Sequence, residues 1–259
     1  MTAWPVAVSQ WVTREPDPVR AAERVAAAGY GAFEPAADPA IDAAALARAL
    51  DALGLLASSL CAVYSLERDC AAEAPGPRRA ARDYLASCVE LADALGSPVL
   101  VVVPTYRVEW DVDRAAELAR AAETIRAVAE RVPAGGPLLA IEPLNRYETH
   151  LVRTVADAQE LRALVGHPQV AVMADLFHMQ IEEDDPPATL RRHAATLAHV
   201  HLADSQRRAP GTGHLDFGAA LGALRDSGYG GALAMEFLPA DEAALRAGRA
   251  HVEEVLARC

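Results

Sequence analysis

Eight short apolar runs, separated by longer alanine-rich amphipathic stretches along all 259 residues, predict an α/β protein: a single-domain (β/α)8 TIM barrel over residues 1–259. Three observations carry this expectation. The alternation is strict, and nearly continuous apolar strands belong to a parallel sheet covered by helices. The runs are too short and too apolar to be amphipathic helices. Eight such units in about 250 residues match the size of a closed barrel. An open doubly wound sheet is the alternative, but no G-x-G-x-x-G follows any run, and that favours closure.

The runs are WPVAVSQ from Trp4, YGAFEP from Tyr30, LLASSLCAV from Leu55 and SPVLVVVP from Ser97. GPLLAIEP from Gly136, QVAVMAD from Gln169, LAHVHLAD from Leu197 and GALAMEF from Gly231 complete the set. Helical patterns lie between them, including VRAAERVAAAG, IDAAALARALDALG, ARDYLASCVELADALG and DRAAELARAAETIRAVAERV. Gly29, Gly54 and Gly96 stand where three of these helices should stop, and Asp216 stands where one starting at Phe217 needs a cap. No linker or compositional break divides the chain.

All 24 basic side chains are arginine. Without lysine there is no Schiff-base aldolase or pyridoxal-phosphate chemistry and no Walker-A phosphate loop. With 36 acidic residues against those 24, the net charge of −12 speaks against nucleic-acid binding. At 52% hydrophobic and 23% charged the chain can bury a large core. Cys61, Cys70, Cys88 and Cys259 are scattered, as expected of reduced thiols, and Cys61 and Cys88 read as buried filler. No apolar run is long enough to span a bilayer and no signal-peptide pattern opens the chain, so a cytoplasmic protein without a membrane partner is expected.

In a barrel of this kind the chemistry sits where strands run into loops at the C-terminal face. The last four strands each finish on a metal-competent side chain: Glu142, Asp175, His201 and Glu236. Their separations of 33, 26 and 35 residues approximate one βα unit each, so the four should converge above the barrel. Three carboxylates and one imidazole favour Mn²⁺, Mg²⁺ or Co²⁺ over a thiolate-bound zinc. An octahedral shell would keep room for two adjacent substrate oxygens, and such an ion would act as a Lewis acid on a carbonyl. Other residues have plainer readings. His199 is expected to be a core histidine rather than a second ligand, and Gly211 and Gly213 to permit a turn rather than cradle a phosphate. His214 and Asp216 could be ligands in a multi-metal version of the barrel, with capping the plainer role for Asp216. Trp4, Trp11, Tyr106 and Trp110 are candidates for a wall facing a sugar. Glu34, at the end of the second strand, either reaches the site or caps its loop.

The stretches IEPLNRYET (141–149), DLFHMQIEE (175–183), HVHLADSQRRAPGTGHLDF (199–217) and MEF (235–237) resemble the sugar-phosphate isomerase/epimerase family, with its xylose-isomerase-like barrel. Within it they are most similar to ketose 3-epimerases of the D-tagatose and D-psicose kind. The resemblance is strongest from Glu142 to Glu236. It implies that Glu142, Asp175, His201 and Glu236 hold one divalent metal, Mn²⁺ foremost, and that Glu142 and Glu236 are the acid/base pair on opposite faces of the substrate. It further implies that His178, Arg207 and Glu148 bind the substrate, a small sugar or polyol, and that the protein is a homodimer or homotetramer. Leu176 departs from the family's usual Thr or Ile without touching the ligand set.

The implied reaction is epimerisation of a ketose or keto-polyol at C3, by proton abstraction and return through an enediolate. The same site would serve a hydroxypyruvate or aldose–ketose isomerase, or a dehydratase of a keto-inositol. The absent lysine disfavours the lysine-assisted hydride shift of xylose isomerase itself. A phosphodiesterase like endonuclease IV is remote, because its extra histidines are missing from LLASSLCAVY and SPVLVVVPTY. A non-catalytic sugar-binding protein is the remaining reading.

Overall fold

The computed structural model describes residues 4–258, so Cys259 lies outside the described residues. The strands are β1 (Val6–Ser9), β2 (Ala32–Glu34, resumed at Ala36–Ala37), β3 (Leu56–Ala57, resumed at Leu60–Ala62) and β4 (Val99–Val102). They continue with β5 (Leu138–Ile141), β6 (Val170–Asp175), β7 (Leu197–Leu202) and β8 (Ala232–Met235). Every pairing among them is parallel, each strand lies beside its sequence neighbours, and β8 pairs with β1. The sheet closes where the two interrupted strands meet. Ala32 and Phe33 pair with Leu56 and Ala57, and Ala36 and Ala37 pair with Cys61 and Ala62. Pro35 interrupts β2 because it has no N–H to give, yet its carbonyl still accepts from the Cys61 N–H at 3.1 Å.

The helices are α1 (Pro18–Ala27), α2 (Ala43–Leu53), α3 (Pro75–Ala94), α4 (Arg114–Ala129), α5 (Val155–Val165), α6 (Leu176–Glu182), α7 (Pro186–His193), α8 (Phe217–Asp226) and α9 (Glu242–Arg258). Side-chain caps start most of them: Asp17, Asp42, Asp113, Asp185 and Asp216 each accept from a first-turn N–H. The helix-stop reading holds at Gly54, which ends α2 in the left-handed region at φ 66°. Helix α3 begins six residues before the ARDYLASCVE pattern. Its prolines fall in the first turn, where no N–H is needed for the helix ladder.

Side-chain parity sorts the strand residues. One set, including Val8, Phe33, Leu100, Leu139, Val172, Val200 and Leu233, packs into the main core beneath the helices. The other set points into the barrel, where small groups dominate: Ala7, Ala32 and Ala234 form one cluster and Val99, Val101, Ala140 and Met173 another. Two residues further along the same inward rows come Glu34, Glu142, Asp175 and Glu236. A register shift between Val172 and Met173 sets Asp175 opposite His201 instead of Val200. Because strand side chains alternate, that one-residue bulge brings both groups to the same interior face.

Candidate active site

Glu142, Asp175, His201 and Glu236 offer ligand atoms that all lie within 4.8 Å of one another, and all four residues are buried. His201 Nδ1 is 3.4 Å from Glu142 Oε1, 3.3 Å from Glu236 Oε2 and 4.0 Å from Asp175 Oδ2. Asp175 also caps α6 through its other oxygen, accepting from Phe177 N–H at 2.7 Å. Two buried atoms facing this centre, Asp175 Oδ2 and His201 Nδ1, have no hydrogen-bond partner among the described residues. A buried polar atom without a partner is costly, and here an oxygen and a nitrogen lone pair are aimed at one point. The donor set and these unpartnered atoms fit a divalent cation.

The two outer carboxylates sit in different fields. Burial pushes the Glu142 carboxyl above its ordinary range, with the Glu236 and Asp175 charges adding to it against the pull of His201. Burial would raise Glu236 as well, but His201 and the Arg207 guanidinium outweigh it and hold that carboxyl down at about 2. Arg207 Nη2 donates to Glu236 Oε2 at 2.6 Å.

A cavity of about 280 Å³ opens beside the carboxylates, walled by Trp11, Cys61, Tyr64, Tyr106, Glu148 and Arg207 among others. Tyr64 and Tyr106 stack with centroids 5.8 Å apart, and the Tyr64 hydroxyl donates to Glu142 Oε2 at 3.0 Å. Glu148 accepts from Asn145 Nδ2 at 2.8 Å and from the Tyr106 hydroxyl at 3.2 Å, with Arg207 Nη1 3.7 Å away. His178 Nδ1 accepts the Asn145 backbone N–H at 3.1 Å, so the ring's proton is on Nε2. That Nε2 lies 3.5 Å from Asp175 Oδ2.

Arg207 is held by a strained loop. Gln206 and Arg207 are consecutive non-glycine residues at φ 61° and 54°, a conformation costing roughly 1–3 kcal/mol each. Asp204 supports it by accepting from the backbone N–H groups of Ser205, Gly211, Gly213 and Leu215. Burial opposes ionisation of Asp204, but these donors outweigh it and lower the carboxyl. The glycine-rich turn therefore already encloses an internal anion.

The seven residues singled out in the sequence are all gathered at this end of the barrel. Of the proposed sugar-facing aromatics, Trp11 and Tyr106 line the cavity. Trp4 does not: its indole donates to the Tyr229 carbonyl at 2.8 Å, before β8 begins. Trp110 is 81% exposed and does not line it either. Cys61, expected to be filler, forms part of the cavity wall, whereas Cys88 is buried in the core. His214 is exposed and Asp216 caps α8. Tyr64, Asn145 and Ser59 were not singled out in the sequence, for none stands in a ligand-type spacing. Glu34 reaches the site from below: its Oε2 lies 3.0 Å from His201 Nε2, 2.9 Å from His199 Nε2 and 2.6 Å from Ser59 Oγ.

Fold and site together define a parallel β/α barrel with an acidic, metal-competent centre at its C-terminal face. The profile of the xylose isomerase-like TIM barrel family matches residues 22–255, and the chain belongs to that family. It is 41% identical over 125 residues to the D-psicose 3-epimerase of Agrobacterium fabrum, covering 48% of this chain and 43% of that protein. It is 30% identical over 213 residues to the ketose 3-epimerase of Arthrobacter globiformis, covering 81% and 73%. The match to the Agrobacterium protein thus spans less than half of that relative's length. The crystal structure of D-psicose 3-epimerase with D-tagatose from Clostridium cellulolyticum H10 superposes with a TM-score of 0.88, over 97% of this chain and 99% of that one, at 24% identity. At that identity the superposition speaks for the fold.

Proposed function

We propose that this protein is a divalent-metal-dependent epimerase that inverts a ketose, or a related keto-polyol, at C3. The observation that carries the reading is the convergence of Glu142, Asp175, His201 and Glu236 on two buried, unpartnered lone pairs beside a sugar-sized cavity. The names of the relatives, D-psicose and ketose 3-epimerases, support the same reading. Mn²⁺ is the expected ion, with Mg²⁺ and Co²⁺ as alternatives. When bound, it supplies Lewis acidity that polarises a carbonyl and makes the neighbouring C–H more acidic.

The protein's own groups do the rest. Epimerisation needs a base on one face of a planar enediolate and an acid on the other. Glu142 at the end of β5 and Glu236 at the end of β8 come from strands three apart around the barrel, so they can flank a flat intermediate. The two environments push their proton affinities apart, the condition under which one carboxyl gives a proton while the other accepts one. His178 presents its Nε2–H to a substrate oxygen, and Glu148 and Arg207 bind hydroxyls at the same end. Arg207 also keeps Glu236 ionised. Tyr64 and Tyr106 give the sugar an apolar face.

The test is a panel of free ketoses and polyols with Mn²⁺ in D₂O, followed by NMR. Inversion with deuterium appearing at C3 is the expected outcome. Deuterium at C1 or C2, or loss of water, would replace this reading by the isomerase or dehydratase that the same site could serve.

A further inference from the structure

We propose that Glu34 is a positioning residue that fixes the tautomer and the aim of His201, presenting Nδ1 to the metal centre. The inference deepens the metal-dependent reading above and rests on it. Glu34 stands on β2, on the far side of His201 from Glu142, Asp175 and Glu236, and is wholly buried. Its Oε2 is an acceptor shared by His201 Nε2, His199 Nε2 and Ser59 Oγ, at 3.0, 2.9 and 2.6 Å. An ionised carboxylate only accepts, so both rings must present Nε2–H to it. For His201 this leaves Nδ1 as the nitrogen that a metal would take in place of a proton, on the side of the three carboxylates, and that atom has no partner among the described residues.

Register makes the arrangement rigid. His199 and His201 are two residues apart on β7, so both rings point into the barrel, and they meet edge to face with centroids 4.9 Å apart. The small interior side chains Ala7, Ala32 and Ala234 leave room for both imidazoles. Ser59 sits in the interruption of β3 and donates to the same Glu34 Oε2, its Oγ also lying 3.1 Å from His199 Nε2. His199 is a second donor that helps hold the carboxylate in place. A metal-binding imidazole usually depends on such an acceptor for its orientation, and losing it typically weakens metal binding about 10–100-fold.

The experiment compares Mn²⁺ affinity, read by electron paramagnetic resonance of the free ion, in the wild type, Glu34→Ala and Glu34→Gln, with circular dichroism to establish folding. Glu34→Ala is expected to bind Mn²⁺ about 10–100-fold more weakly. Glu34→Gln keeps a carbonyl acceptor and should recover part of the loss. In parallel, long-range ¹H–¹⁵N correlation on the unaltered protein should place a proton on His201 Nε2. A folded Glu34→Ala protein that binds Mn²⁺ within about twofold of the wild type would overturn the inference, as would a bare His201 Nε2. The spectroscopic arm needs no variant, so it decides the question even if Glu34→Ala does not fold. Failure of the wild type to bind Mn²⁺ would instead refute the metal-dependent reading, a result distinct from either.

Discussion

Glu142→Gln and Glu236→Gln should each abolish exchange of the substrate C3 proton, yet move the stability of the metal-free protein in opposite directions. The difference follows from their surroundings. In the metal-free protein the surrounding carboxylates keep His201 protonated. This imidazolium and Arg207 hold Glu236 at about 2, against an ordinary value of ~4.3, so its ionised form contributes on the order of 3 kcal/mol. That contribution is fully present above the ordinary glutamate range and is lost as pH falls towards 2. Neutralising the side chain forfeits it at pH 7, and in a domain of this size about 3 kcal/mol corresponds to roughly 6–12 °C in Tm. Glu142 is raised instead, first by burial and then by its acidic neighbours. Its charge therefore opposes folding at neutral pH, an opposition relieved on acidification, and Glu142→Gln should leave Tm unchanged or higher. Scanning calorimetry in excess chelator measures the stabilities, and deuterium wash-in by NMR measures the chemistry, where loss of a general base costs about 10²–10⁴-fold. Tm shifts of the same sign in both variants would refute the electrostatic reasoning, and undiminished exchange in either would refute its assignment as acid or base.

Two further outcomes are expected. Chelation should abolish activity, and Mn²⁺ at a hundredfold excess over its Kd should restore it while adding about 2.7 kcal/mol of stability; a Tm indifferent to Mn²⁺ would count against the centre. Gly213→Ala would drive a Cβ into Ser205 Oγ and Asp204 Oδ1, loosening the loop that carries Arg207. Since misplacing a positioning group by about 1 Å can cost 10²-fold, kcat/KM should fall steeply with little change in Tm, and unchanged kinetics would release Asp204 from that role.

The sequence by itself determined the barrel and the positions of its four strand-end ligand candidates, because alternation of apolar runs and helices is a local property and one βα unit recurs at a nearly fixed length. It also determined chemistry that is missing, since a chain without lysine can form no lysine Schiff base whatever its fold. Glu34 was visible as a strand-end acid, but not its partners: Ser59 and His201 are 25 and 167 residues away. Tyr64 and Asn145 carry no spacing signal, and a contact made across a closed sheet leaves none. Tertiary structure alone decided the bulge after Val172, which turns Asp175 and His201 to one face, and the contrast between Glu142 and Glu236. Two glutamates written alike in the sequence differ in acidity although both are buried beside His201, because Glu236 also lies against the Arg207 guanidinium and Glu142 does not.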